Sequence, residues 1–102
     1  MDPFQYVLAQ NARMQPSERL VEAVKAAEGF RAIAYWDRTG KVFTCGYGET
    51  LNVTESTRMT EPQADKRLRE RLAAFGMGVQ RLARVELTQA QFDALTDLAY
   101  AR

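Results

Sequence analysis

Glu28-Gly29-Phe30-Arg31-Ala32-Ile33-Ala34-Tyr35-Trp36-Asp37 is the stretch on which the fold turns, because the chain changes character across it. Upstream, Leu20, Val21, Val24 and Ala27 recur on one face at helical spacing. Ser17, after Pro16, supplies an N-cap, and Glu18 suits the positive end of the helix dipole. Gly29 stands where helices commonly end in a left-handed residue, so the pattern predicts a helix from Glu18 to Glu28. Downstream, the β-prone runs Ile33-Ala34-Tyr35-Trp36 and Lys41-Val42-Phe43-Thr44-Cys45 flank the turn residues Asp37-Arg38-Thr39-Gly40. That is the signature of a β-hairpin. Gly46 and Gly48 extend its second strand, where glycine marks a bulge or the close approach of another group.

The remainder is helical. Residues 51–59 are polar and predict a loop, with a third short strand around Leu51-Asn52-Val53. Thr60 and Gln63 form a capping pair with Pro62 in the first turn, and they open a long helix over 61–83. Ala64, Leu68, Leu72, Phe75, Val79 and Leu82 share its apolar face, and Lys66, Arg67, Arg69, Glu70 and Arg71 read as its solvated side. Gly76 and Gly78 weaken its middle. Thr88 with Gln91 opens a last helix, which carries Leu95, Leu98 and Ala99. Phe4, Val7 and Leu8 form a short helical stripe near the start, either a docked terminal helix or an attachment arm. The pattern is one α+β domain: an N-terminal extension over 1–16, an α/β lobe over 17–60, then a connecting helix and the start of a helical lobe over 61–102.

Composition narrows the chemistry. The 102 residues carry 14 basic and 13 acidic side chains, which gives no basic excess for nucleic acid. Arg67, Arg69, Arg71, Arg81 and Arg84 could line up, but Glu61, Asp65 and Glu70 are interspersed among them. The chain has no histidine, which removes the Ser-His-Asp and Cys-His mechanisms and most zinc sites. Acid–base work therefore falls to carboxylates, and neither metal nor cofactor is expected. Cys45 is the single cysteine, so no intramolecular disulfide forms. Residues 1–15 lack the basic start, apolar run and cleavage site of a signal peptide. No uncharged stretch is long enough to span a bilayer, and a soluble protein is expected.

Glu28 at a helix end, Asp37 in the turn and Thr44 on the return strand can line one side of a cleft. Hydrolysis of a glycosidic bond needs one protonated carboxyl for the leaving oxygen and one ionised carboxylate for water or the developing charge. Phe30, Tyr35 and Trp36 are expected to desolvate Glu28 partly, while Asp37 stays solvated. The spacing alone is shared with many chains in which the same two carboxylates only end a helix and head a turn.

The wording around these residues is more specific. Glu28 to Asp37 is similar to the opening motif of the phage lysozyme family, and Thr44-Cys45-Gly46-Tyr47-Gly48-Glu49-Thr50 resembles that family's threonine-x-glycine-tyrosine-glycine-x-threonine strand. Met59-Thr60-Glu61-Pro62-Gln63-Ala64-Asp65 resembles the start of its inter-lobe helix, and Leu87 to Leu95 a helix of its C-terminal lobe. The blocks run in order from about Ser17 to Tyr100.

The resemblance implies a lysozyme-like α+β fold. It also implies cleavage of the β-1,4 bond between N-acetylmuramic acid and N-acetylglucosamine in peptidoglycan, without a cofactor. Glu28 would protonate the leaving oxygen, and Asp37 and Thr44 would hold the attacking water on the opposite face, giving inversion. Tyr35, Glu49 and Tyr100 are the expected substrate contacts. Glu49 stands where relatives usually carry histidine and reads equally as a solvated loop residue; Tyr100 reads equally as a core aromatic. Such a protein would be made in the host cytoplasm and act at the wall, or travel in a virion.

Relatives continue through further helices, so the apolar faces of 61–83 and 88–102 are expected to be partly bare, covered by a protein partner or by self-association. The competing reading is a truncated, non-catalytic lysozyme-derived structural or partner-binding protein of a phage or prophage.

Overall fold

The computed structural model describes residues 2–101; Met1 and Arg102, the ends of the expected N-terminal extension and last helix, lie outside them. The element order is α1 (Pro3–Asn11), α2 (Glu18–Glu28), β1 (Arg31–Asp37), β2 (Val42–Gly46), α3 (Glu61–Leu82) and α4 (Gln89–Tyr100). This is the expected α+β pattern. The chain forms two compact units, Glu22–Arg69 and the pair of segments Met1–Val21 and Glu70–Arg102.

In the unit Glu22–Arg69, α2 runs to Glu28 and stops at Gly29, whose φ is +72°. The Gly29 amide donates to Lys25 O at 2.9 Å, the bond of a left-handed cap. At the other end of the helix, Ser17 Oγ accepts from Leu20 N at 3.1 Å, as an N-cap does. β1 and β2 pair antiparallel, with Tyr35 opposite Thr44, Trp36 opposite Phe43 and Asp37 opposite Val42. The register shifts between Arg31 and Tyr35.

The third strand is displaced from its expected place. Leu51 and Asn52 form a turn, with Asn52 at φ +58°. It is residues 57–59 that run beside β1, through Ala34 N to Thr57 O at 3.0 Å and Met59 N to Ala32 O at 2.9 Å. The edge of β1 that faces away from β2 leaves backbone amides and carbonyls unpaired, and residues 57–59 satisfy two of them. Thr60 and Gln63 exchange the two bonds of a capping box at the start of α3. Gly46, at φ +64°, lets α3 come close, since a Cβ there would lie 2.9 Å from Met59 Sδ and 3.1 Å from Ala64 Cβ.

In the other unit, α1 is docked and does not project as an arm. Asn11 at its end is fully buried; its Nδ2 donates to Val85 O and its Oδ1 accepts from Leu87 N, each at 2.9 Å. Asp93 on α4 accepts from Ser17 N at 3.1 Å and from Ser17 Oγ. The former N-terminal extension thus groups with α4 and the later turns of α3. Gly76 is not a defect in α3: a Cβ there would meet Phe92 Cζ at 2.8 Å, and the Phe92 ring is fully buried. Helices α3 and α4 also line an apolar groove of about 450 Å³, bounded by Phe75, Val79, Leu82, Leu95 and Ala99.

Candidate active site

Glu28 reaches the turn after β2: the strand ends at Gly46, so Gly48 does not extend it as the sequence pattern predicts. A Cβ built on Gly48 would lie 2.6 Å from Glu28 Oε2 and 2.9 Å from its Cδ. The carboxyl therefore lies against the Gly48 backbone, at a distance that only glycine permits. Gly48 also has φ +78°, a conformation that side-chain-bearing residues rarely adopt. The close approach that a glycine at this position marks is thus the approach of the candidate acid itself.

Thr44 and Asp37 share one face of the hairpin. Directly paired residues lie on the same face and successive residues alternate, so Tyr35, Thr44, Asp37 and Val42 lie together. Asp37 and Thr44 are diagonal neighbours, about 7–8 Å apart at their α-carbons for that geometry. Asp37 is half-buried; its Oδ1 accepts from Thr39 N at 3.0 Å, and its backbone carbonyl accepts from Lys41 N at 2.7 Å. The turn therefore orients this carboxylate through one oxygen. Thr44 is buried, and its hydroxyl has no hydrogen-bond partner among the described residues. A buried hydroxyl without a partner is costly, so its place here calls for an explanation.

The expected desolvation of Glu28 by aromatic rings does not occur. Glu28 is exposed. Phe30 packs on Tyr47 with ring centroids 5.6 Å apart, and Trp36 packs edge-on against Phe43 at 5.0 Å. Tyr35 lies under the Arg31 guanidinium at 4.7 Å. Strand alternation is the reason: it sends Tyr35 and Trp36 to opposite faces, and the sequence order of the rings says nothing of which face meets the helix end.

Glu49 is not a solvated loop residue. It is 5% exposed; Oε2 accepts from Thr50 N at 2.9 Å and Leu51 N at 3.1 Å, and Oε1 holds Arg67 at 3.1 Å. Arg67 Nη2 continues to Leu51 O at 3.0 Å. Both carboxylate oxygens are engaged within the protein, with Arg67 drawn from what had read as a solvated face. Tyr100 belongs to the other unit, where it is half-buried and stands edge-on to Phe75 at 5.8 Å.

Sequence reasoning missed a second cluster. Lys25, one turn before Glu28, lies 2.5 Å from Asp65 and 3.4 Å from Glu61, and Tyr47 donates its phenol proton to Glu61 at 2.7 Å. The hydrogen bond to Asp65 raises the Lys25 pKa above its ordinary value. The bonds from Arg69 and then Lys25 hold Asp65 below the ordinary carboxylate range. The bond to Glu61, then burial, pushes Tyr47 up. Only the spacing of Asp65 and Arg69 on α3 hinted at this group; its other members come from separate elements. Among the described residues no three metal-ligating side chains gather into a site.

Residues 25–101 match the model of the phage lysozyme family. An endolysin of Bacillus phage B103 is 38% identical over 89 residues, covering 85% of this chain and 34% of the endolysin. The muramidase domain of SpmX from Asticaccaulis excentricus superposes with a TM-score of 0.78 at 35% identity, covering 87% of this chain and 60% of that one. An endolysin from the Escherichia coli O157:H7 phage FAHEc1 gives 0.74 at 31% identity, covering 86% and 58%. The chain thus spans about a third of the first relative and about three fifths of the two structures.

Proposed function

Because the chain belongs to the phage lysozyme family, we propose that it hydrolyses the β-1,4 bond between N-acetylmuramic acid and N-acetylglucosamine in peptidoglycan. Glu28 donates the proton to the leaving oxygen. Asp37 and Thr44, on one hairpin face, hold the water that attacks the anomeric carbon from the opposite side, with inversion. Tyr35 lies on that same face and offers a ring to a sugar.

One observation carries this reading: the Glu28 carboxyl rests on Gly48, in the turn that follows the strand bearing the unpartnered Thr44 hydroxyl. The support for a hydrolase is that all three groups are present in the unit Glu22–Arg69. The non-catalytic alternative has no comparable observation behind it. No helix among the described residues is long and apolar enough to cross a membrane. We place the action at the cell wall, after synthesis in the host cytoplasm.

The test is clearing of chloroform-permeabilised Gram-negative cells by the wild type and by Glu28→Gln. The wild type is expected to clear, and the variant to lose activity by at least ~10³-fold, the scale of a missing general acid with its positioning. Equal failure of both, in folded protein, overturns the proposal.

A further inference from the structure

The resting place of the Glu28 carboxyl is a single residue, Gly48, and glycine cannot hold itself. It has no side chain to pack, and its backbone has more freedom than any other residue's. The residues on either side of it are tied down instead, both to the first turns of α3.

On one side stands Tyr47, which is buried. Its phenol donates to Glu61 at 2.7 Å, its ring packs on Phe30 at 5.6 Å, and the Lys25 ammonium lies 5.4 Å from the ring centre. Lys25 and Phe30 bracket Glu28 in the chain, so one ring touches the segment that carries the acid on both sides of it. On the other side stands Glu49, which binds two backbone amides with one oxygen and Arg67 with the other. Arg67 is in turn tied to the Leu51 carbonyl.

We infer that the pairs Tyr47–Glu61 and Glu49–Arg67 are positioning pairs that fix Gly48 against α3 and so set where the Glu28 carboxyl sits. Neither pair touches substrate. The Glu49–Arg67 pair stands where the family resemblance led us to expect histidine, so this chain's brace is built from its own residues. The inference rests on the reading of Glu28 as the acid.

The experiment compares Tyr47→Phe, Glu49→Gln, Arg67→Met and Arg67→Lys with the wild type. It measures kcat and KM on a soluble peptidoglycan fragment, amide hydrogen exchange at residues 48–51, and the side-chain carboxyl ¹³C signal of Glu28. A catalytic group displaced by a fraction of an ångström should cost roughly 10- to 100-fold in kcat. KM should stay within about twofold, because no substrate contact is removed. Exchange at 48–51 should quicken and the Glu28 signal should shift. Arg67→Lys keeps the charge without the fork and should fall between Arg67→Met and the wild type.

Wild-type kcat in variants whose exchange has quickened would overturn the inference, as would unchanged exchange and an unmoved Glu28 signal. If Glu49→Gln or Arg67→Met fails to fold, Tyr47→Phe and Arg67→Lys remain as conservative probes of each pair. A wild type that folds but does not cleave refutes the hydrolase reading alone, and the exchange and carboxyl signals still decide whether the two pairs hold Gly48 in place.

Discussion

Gly48→Ala probes the contact on which the proposed chemistry depends. The added Cβ would stand 2.6 Å from Glu28 Oε2, about 0.8 Å short of the 3.4 Å at which ordinary contact begins. The carboxyl ends an exposed side chain, so it yields before the turn backbone does. A shift of that size at a general acid costs roughly 10- to 100-fold in kcat, as the proton is no longer aimed at the leaving oxygen. Independently, alanine at φ +78° pays for the left-handed conformation, about 1–2 kcal/mol. For a domain of this size, melting should fall by roughly 4–8 °C per kcal/mol.

Initial rates on permeabilised cells and thermal melts followed by circular dichroism separate the two effects. Gly78→Ala is the control, because a Cβ there meets nothing within 4 Å. It should keep wild-type kcat and gain about 0.5–1 kcal/mol from better helix propensity. Gly48→Ala with wild-type kcat and a lowered melting temperature would refute the claim that the carboxyl works from this position. Gly48→Ala unchanged in both would refute the backbone geometry as well.

Three further outcomes follow from the same contacts. Thr44→Val removes a buried hydroxyl without a partner, so urea denaturation should show stability unchanged or raised by about 1 kcal/mol while kcat drops roughly 10²-fold. A loss of stability would mean the hydroxyl is structural. Gly76→Ala should destabilise by about 1–3 kcal/mol although alanine favours helix, because its Cβ overlaps the buried Phe92 ring; a stabilised variant would show that the ring yields freely. Asp65 is depressed below its ordinary 3.8, so its contribution is present above that pH and is lost as pH falls through its folded pKa. Lys25 and Tyr47 are raised above 10.5 and 10.0, so theirs are present below those values and are lost as pH rises through the folded pKa values. Urea midpoints should therefore decline at both extremes. In Asp65→Asn the acid decline should shrink; an identical acid limb would count against the Lys25–Asp65–Arg69 group.

Local rules carried the element boundaries. Glu18–Glu28 was readable because Ser17 starts the helix and Gly29 ends it, both through bonds spanning three or four residues. The capping boxes at Thr60 and Thr88 were readable for the same reason. The hairpin was legible as two β-prone runs around turn residues. Its third partner is residues 57–59 and not 51–53, because which loop residues reach the free edge of β1 depends on the path of the whole loop, which no local pattern announces. Of the site residues, Glu28, Asp37 and Thr44 were named from type, order and family wording, and Gly48 was flagged as a point of close approach without the approaching group being known. The roles of Glu49, Arg67, Tyr47 and Lys25 were not legible, since each depends on a partner 14 to 40 residues away.

What the order of residues settled, then, was the four helices and the hairpin, and which side chains are candidates for glycosidase chemistry. Propensity, capping and alternation act over a few bonds and need no knowledge of the rest of the chain. What required the folded chain was the aim of those side chains: Glu28 laid on Gly48, Trp36 turned away from Thr44, and Glu49 withdrawn into a pair with Arg67. Aim is set by close packing and by the pairing of buried charge, which exist only once distant segments have met.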